Sequence, residues 1–270
     1  RELRQKEPNR DRPVVVAIRN GRFFLSEPLR FVPEDSGTEQ SPTIYQAYQN
    51  ERPILSGGVV LTGWTVDDKG RWHLVLEDVK TGKWSFAQLF VNDQRRYRPR
   101  LPKKGYYTIA ERVPPPAEKQ KDGDDRIQYA EGEFNPQWQN LGDVEVNIFH
   151  QWSMSRMRVA AIDAEKKLVV FKRGTGFDSY WAHFLKGNRY YIENVKEALT
   201  EPGEFYLDVA QGELIYAPRE GEDPKTCDVI APRLENLVIF ACDGGNNRWV
   251  EHLQFRGLTF AHSNWVCPEQ

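Results

Sequence analysis

Val14-Val15-Val16-Ala17-Ile18, Arg22-Phe23-Phe24-Leu25 and Leu29-Arg30-Phe31 are short apolar runs set close together, and the way they connect decides the fold. The first is an unbroken, largely β-branched run, which reads as a strand covered on both faces. Asn20-Gly21 marks a turn. Pro42-Thr43-Ile44-Tyr45-Gln46-Ala47-Tyr48 and Pro53-Ile54-Leu55-Ser56-Gly57-Gly58 repeat the theme after a polar loop from Pro33 to Pro42. The intervals leave no room for crossover helices. Brief strands wound through turns, with a period of roughly 20–30 residues, fit the stacked coils of a solenoid, and an ordinary sandwich is the competing reading.

From residue 59 to about 190 the character changes. Trp64 to Leu74 reads as strand, acidic turn and strand, and Phe86 to Arg96 as a second hairpin. Val144 to His150 alternates, with Val144, Val146, Ile148 and His150 on one face and Glu145, Asn147 and Phe149 on the other. Met157–Ile162 and Leu168–Phe171 flank the turn residues 163–167. This is antiparallel β-structure, a separate small domain, with a flexible loop expected between Pro114 and Asp125. A short helix is expected over Asn194–Leu199 with Asn194 as its N-cap. Glu204–Asp208 and Glu213–Tyr216 form a further hairpin. The solenoid rhythm then returns at Asp228–Ala231, Leu237–Phe240, Val250–Phe255 and Leu258–Phe260.

Composition narrows the function. The 270 residues carry 37 basic and 39 acidic side chains, a net charge of −2 that gives no electrostatic reason to expect nucleic acid or an anionic membrane as partner. The basic residues near the start, Arg1, Arg4, Lys6, Arg10 and Arg12, are interleaved with acids and read as a solvated surface. No apolar run approaches the ~20 residues of a membrane span. The chain begins at Arg1 without a signal peptide, and both ends read as cuts in a longer protein. Cys227, Cys242 and Cys267 lack metal-ligand spacing and are odd in number; they read as small buried hydrophobes, with Cys227 and Cys242 the pair to watch. No metal site and no cofactor motif is expected. Eight Trp, eleven Tyr and fourteen Phe are a notable bias; packing in β-structure accounts for most of them, and others are expected to present ring faces to sugars.

Six segments occur in an order that resembles the N-terminal part of bacterial proteins of glycoside hydrolase family 141. They are Pro33-Glu34-Asp35-Ser36-Gly37-Thr38, Pro53 to Gly58, Gln88-Leu89-Phe90-Val91-Asn92, Glu193 to Leu199, Pro202-Gly203-Glu204-Phe205-Tyr206-Leu207-Asp208, and Phe255-Arg256-Gly257-Leu258-Thr259-Phe260-Ala261-His262. The resemblance implies an all-β, pectate-lyase-like right-handed parallel β-helix interrupted by an antiparallel, β-sandwich-like insertion. Residues 1–58 would be the cap and first coils, 59–192 the insertion, and 193–270 a short helix, a hairpin and the continuing coils. It also implies an exported protein, secreted, periplasmic or on the cell surface, that meets polysaccharide or oligosaccharide. Hydrolysis of the fucosidase or xylanase type is the activity implied. A polysaccharide lyase, or a noncatalytic carbohydrate-binding β-helix, are the alternatives on that fold. The family's catalytic carboxylates lie on later coils, so they are expected beyond Gln270.

The local motifs for sugar contact are His150, Trp152 and Arg156, then Trp181, then His262 and Trp265. The first group joins an imidazole, an aromatic plane and a guanidinium, the chemistry that holds a neutral or acidic sugar. Its plainer reading is a strand end whose Trp packs and whose Arg pairs with an acid. Trp181 lies in the aromatic loop Asp178 to His183. His262 and Trp265 follow a strand, and a structural ladder role fits them as well. Asp35-Ser36-Gly37-Thr38 copies half of an aspartic-peptidase signature but lacks the second copy that chemistry requires, so it reads as a turn. Asp67-Asp68 and Asp124-Asp125 read as solvated turns.

Overall fold

The computed structural model describes residues 2–7 and 10–265. Its regular structure is nearly all β, with α-helix only at Glu2–Lys6 and Glu77–Lys80 among the described residues. The chain divides into two compact units. One gathers the residues up to Leu61, Trp84–Arg95 and those from Asp228 on; the other holds Thr62–Lys83 and Arg96–Cys227.

In the first unit, Thr43–Ala47 lies between Val14–Ile18 and Leu253–Arg256 and is parallel to both. Ile54–Ser56 is likewise parallel to Arg22–Phe24 and Thr259–Ala261. Leu29–Phe31 pairs parallel with Val238–Phe240. Phe31, Ile44 and Leu55 are buried among these strands, and the Phe31 ring meets Tyr45 edge-on at 5.3 Å. The next sheet is antiparallel: Val229–Pro232 sits between Gly58–Val60 and Leu89–Val91. Leu89–Val91 turns back into Gln94–Arg96 through Asn92 and Asp93, both at positive φ, as a tight primed turn requires.

The all-β class holds, but the expected right-handed parallel β-helix does not form. The parallel pairings are confined to sets of two or three strands, most of them three residues long, and most strands lie in antiparallel sheets. The stretch from Pro53 to Gly58 marks the departure. Ile54–Ser56 joins a parallel set, whereas the following Gly58–Val60 pairs antiparallel with Val229–Pro232. Val229–Pro232, expected to restart the coils, is itself the centre of that antiparallel sheet. The expected helix over Asn194–Leu199 is a single 3-10 turn, Lys196–Ala198, capped by Val195 and not by Asn194. Asn194 instead takes a left-handed φ of 64°.

The second unit carries an eight-stranded antiparallel sheet. Its path runs Arg100–Leu101, Arg189–Glu193, Glu145–Phe149, Met154–Asp163, Leu168–Phe171, Arg126–Gln128 and Glu111–Arg112, with Tyr107–Thr108 also on Arg189–Glu193. A register shift between Val159 and Ala161 bends the long Met154–Asp163 strand. Val146, Ile148 and Ile192 from one side of that bend, and Ile127, Val169 and Phe171 from the other, pack into one core. Full burial of each such side chain contributes about 1.5–3 kcal/mol. The hairpins expected at Trp64–Leu74, Met157–Phe171 and Glu204–Tyr216 are present.

Glycine at position 58 is a packing requirement. A Cβ there would stand 2.4 Å from the Ile230 side chain. Gly58→Ala is expected to cost about 1–3 kcal/mol through overpacking, read as a lower thermal midpoint. Gly244→Ala, whose Cβ would meet only the Trp249 ring at 3.5 Å, should leave the midpoint close to the parent value.

Candidate functional site

The hairpin joining Glu145–Phe149 to Met154–Asp163 builds one end of the antiparallel unit. The His150 amide donates to the Ser153 carbonyl at 2.9 Å and closes the tip. Trp152 stands out from it, 72% exposed. The neighbouring segment turns through the 3-10 residues Tyr180–Ala182 and brings Trp181, 43% exposed, to 6.5 Å from the Trp152 ring at an interplanar angle of 31°. Phe177 packs on Trp181 at 4.6 Å. Trp152, Trp181 and Phe177 together form an exposed aromatic ledge.

The ledge has a rigid base. His150 lies on the core side of its strand, stacked on Phe184 at 5.8 Å, and its Nε2 shares a 2.8 Å hydrogen bond with the Ser155 hydroxyl. Its Nδ1 is enclosed beside the His183 backbone without a hydrogen bond of good geometry. Burial therefore holds the His150 pKa below the ordinary 6.5, partly offset by the nearby His183 backbone and Asp124. Asp124 accepts two 2.8 Å hydrogen bonds from Arg112 and one of 2.7 Å from the Phe184 amide. That pins the Trp181-bearing segment to the sheet. The reading of Asp124-Asp125 as a solvated turn is thus wrong. Both aspartates are buried, and Asp125 is bound by Arg126 at 2.7 Å. An adjacent acid pair looks like a loop in sequence because the arginines that allow its burial are set by tertiary structure. The loop expected from Pro114 to Asp125 is accordingly exposed over its 3-10 stretch Ala117–Asp122 but enters the interior at Gly123.

Arg156 is not part of the ledge. It projects from the opposite face of the sheet, where its Nε donates to Asn147 at 3.2 Å and lies 3.6 Å from Glu145. On that face the register sets Glu145 directly across from Glu193. Arg98 bridges the two, with Nη2 at 2.6 Å from Glu145 and 2.9 Å from Glu193. Burial raises the Glu145 pKa, but Arg98, Arg156 and Arg158 outweigh it and hold the carboxyl below its usual range.

The remaining two expected contact residues belong to the first unit. His262 is buried at a positive φ of 58°. Its Nδ1 lies 2.9 Å from Ser56 Oγ and its Nε2 3.7 Å from Asp93. A serine, a histidine and an aspartate in line suggest a nucleophile, but Ser56 is fully buried and its oxygen also accepts the Gly58 amide. In this structure the trio is therefore a buried hydrogen-bonded link and not an exposed nucleophile. Trp265 is exposed. Asp35 closes a turn by accepting the Val32 amide at 2.9 Å, as its signature-like sequence suggested. Cys227 is half-buried and Cys242 exposed, not the buried hydrophobes expected; Cys267 lies outside the described residues.

Sequence reading found both ledge tryptophans. It missed Phe177, and it missed the Arg98-bridged pair, whose only signal was the polar alternation from Glu145 to Phe149.

With this geometry in hand, the comparisons with known proteins are narrow. No protein-family model and no curated protein matches the chain. A solved structure titled "Glycoside hydrolase" superposes on 98% of it with a TM-score of 0.79 at 25% identity. The fold is therefore glycoside-hydrolase-like. The chain spans 46% of that protein's length. A second structure, "The complex structure of XylC with xylose", aligns at a TM-score of 0.36 and 11% identity over 94% of this chain and 31% of that one, too weak to carry an argument.

Two outcomes follow from the electrostatics. Burial lowers the His150 pKa in the folded chain, so the unfolded chain binds its proton more readily. Its contribution to stability is complete above the ordinary 6.5 and is lost progressively as pH falls from that value through the lower folded pKa. Proton NMR titration should show the His150 ring protonating below 6.5, and a His150→Gln variant should lose less stability than the parent between neutral and mildly acid pH. Separately, Arg98→Ala strands Glu145 and Glu193 face to face and should destabilise by about 3–5 kcal/mol in denaturant melts.

Proposed function

We propose that the chain is part of a glycoside hydrolase acting on complex polysaccharide, and that the Trp152–Trp181 ledge holds a sugar ring during that work. One observation carries the reading: the backbone likeness to a solved glycoside hydrolase along almost all of the chain. The ledge adds independent support. Two exposed indole planes at 6.5 Å offer apolar faces to a ligand that is otherwise polar. Trp152 stands on a hairpin fixed by the sheet and Trp181 on a segment tied down through Asp124, which lowers the entropy lost on binding. His150, tied to Ser155 and with its pKa lowered by burial, supports the hairpin.

Glu145 and Glu193 are not assigned as catalytic acids. A glycosidase proton donor needs a raised carboxyl pKa, whereas Arg98 holds Glu145 ionised. Fucosylated and xylose-containing polysaccharides are the proposed substrates. Export follows from the same reading, since a polymer of that size is met outside the cell.

The intact protein should release reducing sugars from such polysaccharides without forming unsaturated, ultraviolet-absorbing products. Those products would instead establish a lyase, and binding without either product a noncatalytic protein. Trp152→Ala is expected to weaken glycan binding by calorimetry about tenfold, near 1.4 kcal/mol, with the thermal midpoint unchanged. Unaltered affinity in both Trp152→Ala and Trp181→Ala would remove the ledge from the proposal.

A further inference from the structure

The face of the antiparallel sheet opposite its core carries more positive charge than its own acids neutralise. Arg98, Arg100, Arg156, Arg158 and Arg189 share it with Glu145 and Glu193, with Asp143 near Arg158 at its rim. This stands out in a chain whose net charge is −2. The register explains the imbalance. Arg100 sits directly across from Glu193, but Arg98 already occupies that carboxylate. The Arg100 guanidinium turns instead over the Tyr191 ring at 4.3 Å and the Tyr106 ring at 5.1 Å. It donates to the Gly105 carbonyl at 2.5 Å, and its Nε is enclosed with no hydrogen-bond partner. Arg189, exposed and from the same strand as Tyr191, lies over the same Tyr106 ring at 5.0 Å and over Phe149 at 5.7 Å. Neither Arg100 nor Arg189 is ion-paired to a carboxylate among the described residues. Two cations thus converge on one tyrosine, bordered by Phe149 and Tyr191. Ring stacking leaves both guanidinium charges without a counter-anion and the Arg100 Nε donor unsatisfied.

We infer that this Arg100–Tyr106–Arg189 cluster binds an anionic sugar unit, its carboxylate or sulfate oxygens on the guanidinium groups and its ring against the tyrosines. The inference rests on the carbohydrate reading above and narrows its ligand class. Guanidinium forks suit planar carboxylate and sulfate oxygens in pairs, and the flanking aromatic planes suit a sugar better than a free inorganic anion.

The test measures binding of the intact protein to polygalacturonate, to a sulfated galactan and to neutral xylan, at low and at high salt. Binding to at least one anionic polymer is expected, weakening about tenfold or more as salt screens the contact. Polygalacturonate alone would identify a uronate, the galactan alone a sulfate ester. The Arg100→Gln/Arg189→Gln protein should lose about tenfold in affinity for that polymer while keeping its affinity for xylan, and Arg189→Lys, which keeps the charge but loses the fork, should bind between the parent and Arg189→Gln. Arg189→Gln alone, at an exposed position, serves if the double variant fails to fold. Failure of both anionic polymers to bind, equal binding of anionic and neutral polymers at high salt, or wild-type affinity in the Gln variants would overturn the inference. Loss of xylan binding with anionic binding intact would instead count against the neutral-sugar ledge.

Discussion

Glu145 and Glu193 face each other across adjacent antiparallel strands, an arrangement that repels unless a cation sits between them. Arg98 fills that position from outside the two strands, with one nitrogen in reach of both carboxylates. Much of the second unit follows from this bridge. The residues leading into Arg100–Leu101 are tied to the sheet, Asn147 is buried beneath Arg156 and Glu193, and the strand order around Glu145–Phe149 is fixed by charge on one face as well as by Val146 and Ile148 on the other. With Arg98 committed, Arg100 and Arg189 are left to the aromatic rings. A single like-charged register pair thus shapes both the stability of the sheet and the chemistry of its outer surface.

The hairpins were legible in sequence because each is a local event. Asp67 to Arg71 closes a turn through its own side-chain hydrogen bonds, and Asp163 does the same with the Lys166 amide. The alternation from Val144 to His150 placed its apolar set correctly, since a period of two leaves only one face for the core. The polar set was harder to read. Alternation put Glu145 and Asn147 on the face opposite the valines, yet both are buried, because their arginine partners come from residues 98 and 156 and no local pattern announces them. Asp124 and Asp125 hide for the same reason.

Strand direction was the larger failure. A three-residue run such as Ile54–Ser56 or Gly58–Val60 has no periodicity with which to declare its partner. Its pairing is decided by strands about two hundred positions away in sequence, Thr259–Ala261 and Val229–Pro232. Ser56, Gly57 and Gly58 do carry information, but of another kind. Gly58 is required by the close approach of Ile230, and Ser56 by the buried His262 ring. These small residues form the crossing from a parallel set to an antiparallel one.

Sequence reading placed His150, Trp152 and Arg156 in one cluster, and the sheet divides them. Odd and even residues of a strand point to opposite faces. His150 therefore joins the core side and supports the ledge, while Arg156 joins the charged side. The two tryptophans meet only because the Phe184 amide is held by Asp124, which anchors the segment carrying Trp181. The consequence is two chemically distinct surfaces on one small sheet: an uncharged indole ledge at the hairpin tip and a cationic, tyrosine-lined face beside Phe149. Phe149 ends the strand that enters the tip, so a chain of sugars resting on the ledge and one resting on the cationic face would be held by the same rigid element. A polymer with both neutral and anionic units has the composition to use both surfaces, whereas a simple neutral oligosaccharide has use for only one.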